Sequence, residues 1–389
     1  MSMSKLYLDF TKDEYLSRQK KVRAAMLEAG IDLLMIHLPV NINYLTGSRA
    51  KGWQTYQVLF FPIEEGPLTF LTRLPEIPEV HDMSLIDDIR PYGGREPENP
   101  IDVVGAILNE RGYLSLRIGM EAPPYYLSPH EYNQLNDLLG KAKVCEPNNL
   151  IQDIKLVRSE SEIAYIKKAV AMADAGMETA IETMRMGSTE HEVSAAIHHC
   201  IIGLGSDPPA SPINICMGGR SKYSHWQPDA IRIKTGDFGH IQFGPSYKRY
   251  SATIGRQICL GKPTARQQEI YQIARDATEA VMTEMREGTP GADMHKVARE
   301  VISKAGMDHG RIHSTGYAMG MAFPPSFVDA GVLDGDSKYI LKAGMVVAVE
   351  PPVFSWEEGI GARLIQNVLV TKTGVEQLPR TTLDLIEIQ

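Results

Sequence analysis

The stretch Lys342–Phe354 reads KAGMVVAVEPPVF. A Lys, one residue and a Gly open it. An apolar run follows, Glu350 ends the run, and Pro351 and Pro352 halt the strand. Lys234–Gly244, KTGDFGHIQFG, has the same layout. In each copy a polar side chain stands six positions after the Gly: Gln242 after Gly236, and Glu350 after Gly344. These copies are 108 residues apart. A second pair, Met184–Ser188 (MRMGS) and Met285–Thr289 (MREGT), is 101 residues apart. After each comes a helical stretch ending in Gly, SAAIHHCIIGLG (194–205) and HKVAREVISKAG (295–306). A loop insertion of about seven residues reconciles the two offsets, and internal duplication is the simplest explanation. It predicts a pseudo-symmetric α+β domain with its cleft where the halves meet.

Outward from this core, Ser159 precedes a helical pattern over 162–186. Thr189 and Glu192 form a capping box for the next helix, whose apolar face is Val193, Ala196, Ile197 and Cys200. Nearer the N-terminus, residues 12–30 read as a helix stopped by Gly30, and 31–38 as a short buried strand closed by turn-forming residues in NINYLTG (41–47). Residues 55–62 and 66–72 read as paired strands. The expected organisation is a small α/β domain over 1–153 followed by a larger α+β domain over 154–389.

A chain of 389 residues is too long for one simple core. Its net charge of −8 argues against nucleic-acid binding, and its apolar runs are too short to span a bilayer. The N-terminus has no apolar signal-like core, and Cys145, Cys200, Cys216 and Cys259 form no CxxC pair. We expect a cytoplasmic protein with reduced thiols. His191, His198 and His199 share a helix without carboxylate partners and read as a solvated face. The acidic run 329–336 lacks the spacing of a calcium loop.

NINYLTG and IKLVRSESEIAYIKKA (154–169), with the two strand units in this order, resemble the creatinase, prolidase and aminopeptidase P superfamily, whose fold is called pita-bread. The resemblance implies a creatinase-type N-terminal domain and a pita-bread catalytic domain. In the metallopeptidase members two Asp, one His and two Glu hold two metal ions. Those positions match Gln242, Thr253, Tyr317, Glu350 and Ile365 here, with one carboxylate retained. An amide, a hydroxyl, a phenol and an alkyl group do not offset two divalent cations in a cleft. We therefore expect no catalytic metal and no other cofactor.

The resemblance also implies roles for retained groups. His225 matches the creatinase base, and Glu350 the carboxylate that contacts the cationic substrate. Gly255 stands where creatinase has a Glu, so creatine itself is not the expected substrate. Tyr317 is a candidate donor to an oxyanion, or a packed phenol. Gln242, Thr253, His313 and His240 are candidate substrate contacts, with a core role equally open for His240. Arg363 and Arg256 read as forks for a substrate carboxylate or as structural ion pairs. Trp53 and Tyr56 are expected to reach the neighbouring subunit's cleft in a homodimer. The resulting expectation is a metal-independent, creatinase-like hydrolase of a C–N bond in a small guanidino, amidine or cyclic amide compound. The alternatives are an Xaa-Pro dipeptidase-like enzyme with an altered metal site, a non-catalytic binding protein, and a lyase using the same His.

Overall fold

The computed structural model describes residues 7–140, 143–184 and 187–389; Arg185 and Met186 of the repeated MRMGS string lie outside them. The chain forms two compact units, Met1–Ile154 and Lys155–Gln389.

In the first unit, Thr11 caps the helix Lys12–Ala29 by accepting from the Glu14 N–H, and Gly30 ends it at φ 62°. Six strands follow: β1 (Leu33–Ile36), β2 (Val58–Pro62), β3 (Thr69–Arg73), β4 (Asp88–Tyr92), β5 (Arg117–Met120) and β6 (Lys143–Cys145). They form one sheet in the order β4-β3-β2-β1-β5-β6. β1, β2 and β3 pair antiparallel, and the remaining neighbours are parallel. One departure from the sequence reading is NINYLTG. Its residues belong to the helix Pro39–Thr46 rather than a turn, because Pro39 starts a helical turn and Gly47 absorbs the left-handed stop at φ 90°.

The second unit is built from two helix pairs. Ser159 and Glu162 close a capping box on the helix Glu160–Thr183, as Thr189 and Glu192 do on Glu190–Gly203. The second pair is Ala265–Glu284 and Gly291–Lys304. One sheet contains β7 (Asn214–Met217), β8 (Phe238–Phe243), β11 (Ile254–Leu260) and β19 (Ile386–Ile388), in the order β19-β11-β8-β7. The other contains the short β9 (Ser246–Tyr247) and β10 (Tyr250–Ser251), then β12 (Gly316–Phe323), β13 (Ser326–Leu333), β14 (Val346–Val349), β17 (Gln366–Val370) and β18 (Val375–Gln377). A small ribbon pairs β15 (Val353–Ser355) with β16 (Ile360–Ala362).

The duplication is visible bond by bond. Gly187 N–H donates to the Ile233 carbonyl at 3.0 Å, and Gly288 N–H to Leu341 at 2.8 Å. Glu190 donates to Ile231, and Gly291 to Tyr339. Gly236 donates to Leu260 on β11, and Gly344 to Val370 on β17. All four of these turn glycines (Gly187, Gly236, Gly288, Gly344) have φ between 87° and 94°, a conformation that a side chain resists. The two offsets in the sequence are therefore one structural repeat. The donors Gly187 and Gly288, like Glu190 and Gly291, are 101 residues apart, while their acceptors Ile233 and Leu341, like Ile231 and Tyr339, are 108 apart.

Candidate functional site

Where the two sheets of the second unit join, Gly255 of β11 bridges Ile365, just before β17. β8 and β11 pair antiparallel with Gln242 opposite Gly255 and His240 opposite Gln257. Their alternate residues Ile241, Phe243, Ile254 and Ile258 pack with Met177, Val193 and Ile197 of the first helix pair. The period of two then turns His240, Gln242, Gly255 and Gln257 to the opposite face. Tyr317 lies in the strand β12, opposite Ala348 of β14.

Glu350, fully buried at the end of β14, is the centre of the site. Arg363 Nη2 donates to its Oε1 at 3.0 Å, and the Tyr317 hydroxyl donates to its Oε2 at 3.1 Å. His313 Nδ1 lies 3.1 Å from Oε1. Burial, reinforced by the Glu350 charge, raises the Tyr317 phenol well above its ordinary pKa, so it remains a donor. Its proton points to Glu350. This corrects the expectation that Tyr317 faces an oxyanion: it holds the carboxylate in place.

The second correction concerns Arg363. Its Nη1 donates to the Ser224 carbonyl at 2.6 Å and to the Ser224 hydroxyl at 3.1 Å. With Nη2 on Glu350, this guanidinium is a strut between the carboxylate and the residue before His225, not a fork open to substrate. Arg256, fully buried, donates to the carbonyls of Gly255, Ile365 and Thr381 and to Gln366 Oε1 at 2.7–2.8 Å. It ties strands together and is likewise committed.

His225 keeps an open face to solvent, and its ring centroid is 6.2 Å from that of His313. Partial burial, then the nearby Arg363 and His313, hold its pKa below the usual histidine value; Glu350 acts in the opposite sense. The imidazole is therefore neutral at pH 7, as a base requires. Its chain neighbours are pinned. Ser224 is bonded to Arg363, the Trp226 N–H donates to Asn214 Oδ1 at 3.1 Å, and the Trp226 carbonyl accepts from Ile215.

His240 is fully buried beside Phe354, and neither ring nitrogen has a hydrogen-bond partner. The Ser224 carbonyl, which accepts from Arg363, lies close enough to favour the protonated ring. Burial first, then Arg363, push the His240 pKa down to about 3. The unfolded chain protonates this residue below about pH 6.5, so stability falls as pH drops from there toward 3. From pH 6.5 to 5 the loss is roughly 2 kcal/mol. His240→Leu is expected to remove that loss. Urea unfolding of both proteins at pH 7.5 and pH 5 checks it, and equal acid sensitivity would contradict it.

Gln242 is buried and its Oε1 has no partner. The Thr253 hydroxyl lies beside Tyr317 and 3.4 Å from the Phe243 carbonyl, while the Thr253 N–H donates to Asn367 Oδ1 at 2.9 Å. Asn367 is fully buried and its Nδ2 has no partner. Sequence reading missed Asn367, Asn214, Ser224 and Gln257. The signal was present in Asn214, Gln257 and Asn367, each a polar residue inside an apolar strand. In the first unit, Tyr56 is a further correction. It is 2% exposed, with its hydroxyl 3.3 Å from His37 Nε2, so it is a core residue and not a contact for a neighbour's substrate. Trp53 is half-buried with its ring edge-on to Tyr126.

The donor set does not fit a pair of divalent ions. Among the described residues, no group of three or more His, Cys, Asp or Glu could hold a metal ion. Moreover, a Cβ added at Gly255 would lie 2.5 Å from Ile365 Cγ1. An alkyl side chain fills the space beside Gln242, where carboxylates would have to converge.

Residues 164–372 match the model of metallopeptidase family M24, and 18–157 match the creatinase/prolidase N-terminal domain. The chain belongs to metallopeptidase family M24. The Xaa-Pro dipeptidase of Pyrococcus furiosus is 27% identical over 95% of this chain and 99% of its own. The ectoine hydrolase of Halomonas elongata is 26% identical over 97% and 98%. The crystal structure of the prolidase from Pyrococcus horikoshii superposes with a TM-score of 0.82 at 25% identity, covering 95% of this chain and all of that one. The expected creatinase-type domain and pita-bread domain are thus both present, and this M24 protein is a hydrolase by family. No helix among the described residues is long and apolar enough to cross a membrane.

Proposed function

We propose that this M24 member hydrolyses a C–N bond in a small, polar, positively charged nitrogen compound without a catalytic metal. One observation carries the reading: Glu350 is the single carboxylate among the five side chains that match the family's ligand positions, and its Oε1 accepts from Arg363. The similarity to an ectoine hydrolase supports a substrate other than a peptide, since ectoine is a cyclic amidine. An amidinium carbon is already electrophilic, so it needs less assistance than a peptide carbonyl.

In this reaction His225 takes a proton from water, and the resulting hydroxide adds to the amidine or guanidine carbon. The C–N bond then breaks, and the departing nitrogen receives the proton from His225. Glu350 attracts the positive nitrogen group through Oε2, which has one protein donor. With the Tyr317 proton engaged on Glu350, the unpartnered Gln242 Oε1 is left to accept from the O–H that the attacking water retains, which orients it toward the carbon. We include a homodimer and a cytoplasmic setting in this proposal, with Trp53 at the subunit contact.

Turnover of a panel containing ectoine, creatine, hydantoins and an Xaa-Pro dipeptide is expected to survive exhaustive chelation. Elemental analysis is expected to find well under one metal equivalent per chain. Loss of turnover restored by manganese or zinc would select the second reading, an Xaa-Pro dipeptidase-like enzyme, which the similarity to the Pyrococcus furiosus protein favours. With a lowered His225 pKa, kcat/KM is expected to be flat near pH 7 and to fall on the acid side, with its midpoint below 6.5. A midpoint above 7 would exclude His225 as the titrating group.

A further inference from the structure

The base of the proposed reaction sits in the loop between β7 and β8, and one buried side chain grips that loop at two places. Glu190 opens the helix Glu190–Gly203 and is fully buried. Arg220, five residues before His225, donates from Nη2 to Glu190 Oε1 at 2.5 Å. The Asp229 N–H, four residues after His225, donates to Glu190 Oε2 at 3.2 Å. The Asp229 carbonyl in turn accepts from the His191 N–H at 3.2 Å. Each carboxylate oxygen thus holds one flank of the loop. The Arg220 guanidinium also lies over the Trp226 ring, 5.8 Å from its centroid, and that ring stacks on Tyr223.

We propose that Glu190 is a positioning residue for His225, a clamp that fixes the loop Arg220–Asp229 so that the imidazole is presented toward Glu350. The reading rests on His225 being the base only for its catalytic consequence; the clamp itself is a statement about the loop. The geometry explains why a carboxylate is buried there. Two donors from opposite ends of the loop converge on one side chain, and only a carboxylate offers two acceptor oxygens with a charge to match Arg220. A helix start supplies a rigid base and favours the negative charge. The inner contacts at Ser224 and Trp226 hold the residues adjacent to His225, and Glu190 holds the frame around them.

The deciding measurement needs no substrate. Amide hydrogen exchange over residues 218–230 is expected to accelerate roughly tenfold in Glu190→Gln, which loses one charge-assisted acceptor, while the helices of both pairs keep wild-type protection. Arg220→Gln, at a partly exposed position, cuts the charged contact on one flank and leaves Glu190 without its counter-charge, while the Asp229 N–H contact on the other flank remains; it is expected to act in the same direction. The second readout is the NMR titration of the His225 ring. Its midpoint is expected to rise toward 6.5 in both variants as the loop gains solvent. Unchanged exchange over 218–230 in both variants, or an unchanged ring titration, overturns the proposal. Accelerated exchange throughout the unit in Glu190→Gln would mark general destabilisation, and the Arg220→Gln result then decides. If instead His225→Asn leaves turnover intact while the loop loosens as expected, the clamp stands and the assignment of the base fails.

Discussion

His225→Asn is expected to lower kcat by about two to four orders of magnitude, the range that a positioned general base supplies. The fold should not notice the change. His225 is open to solvent, and the hydrogen bonds that pin its loop come from Ser224 and Trp226, not from its ring. The thermal midpoint is therefore expected to move by less than about 2 °C, as for a surface substitution. Progress curves on the best substrate of the panel, run beside a thermal melt, measure both. Retention of turnover within a factor of three would remove His225 from the reaction. A lyase, in which His225 would take a carbon-bound proton, also loses activity. Product analysis in oxygen-18 water separates the two, because hydrolysis alone places the label in the product.

The second large effect is on stability. Glu350→Leu is expected to cost about 3–5 kcal/mol, because it leaves the Arg363 guanidinium buried without its counter-charge. Arg363 is 1% exposed, and its remaining partner is a neutral serine. For a unit of this size the thermal midpoint is expected to fall by roughly 10 °C. The double variant Glu350→Leu/Arg363→Met removes both charges and is expected to recover most of the loss. A cycle in which the two substitutions simply add would mean that the pair is not coupled, and the strut from Glu350 to Ser224 would lose its basis. The Tyr317 hydroxyl also loses its acceptor in Glu350→Leu, so Tyr317→Phe is the control that apportions that part.

Much of the architecture was legible because repeated physics leaves repeated residues. Gly187, Gly236, Gly288 and Gly344 mark turns that need a positive φ, and their spacing announced two copies of one unit. The capping boxes at Ser159 and Thr189 are local, so a window of four residues reveals them. NINYLTG was misread for a related reason: Asn and Gly signal a turn locally, yet the Pro39 start and the Gly47 stop fit a short helix equally well. For Arg363 and Tyr317 the sequence left a substrate role and a structural role open, and the contacts to Glu350 select the structural one. A side chain's identity states what it can donate, and only its neighbours state where the proton goes.

By itself the sequence determined which chemistry is available: two domains, a duplicated α+β core, a single carboxylate at the ligand positions and a histidine at the position of a base. The domains and the duplication follow from residue types and spacings along the chain; the ligand positions and the base position are what the resemblance to the creatinase and prolidase superfamily implies. The tertiary structure alone decided that Arg363 spans Glu350 and Ser224, that Ile365 fills the space above Gly255, that His240 is buried without partners, and that Glu190 grips both flanks of the His225 loop. Each of these joins residues that are distant in the chain. Hydrogen bonds and steric exclusion act over a few ångströms in space, whatever the sequence separation.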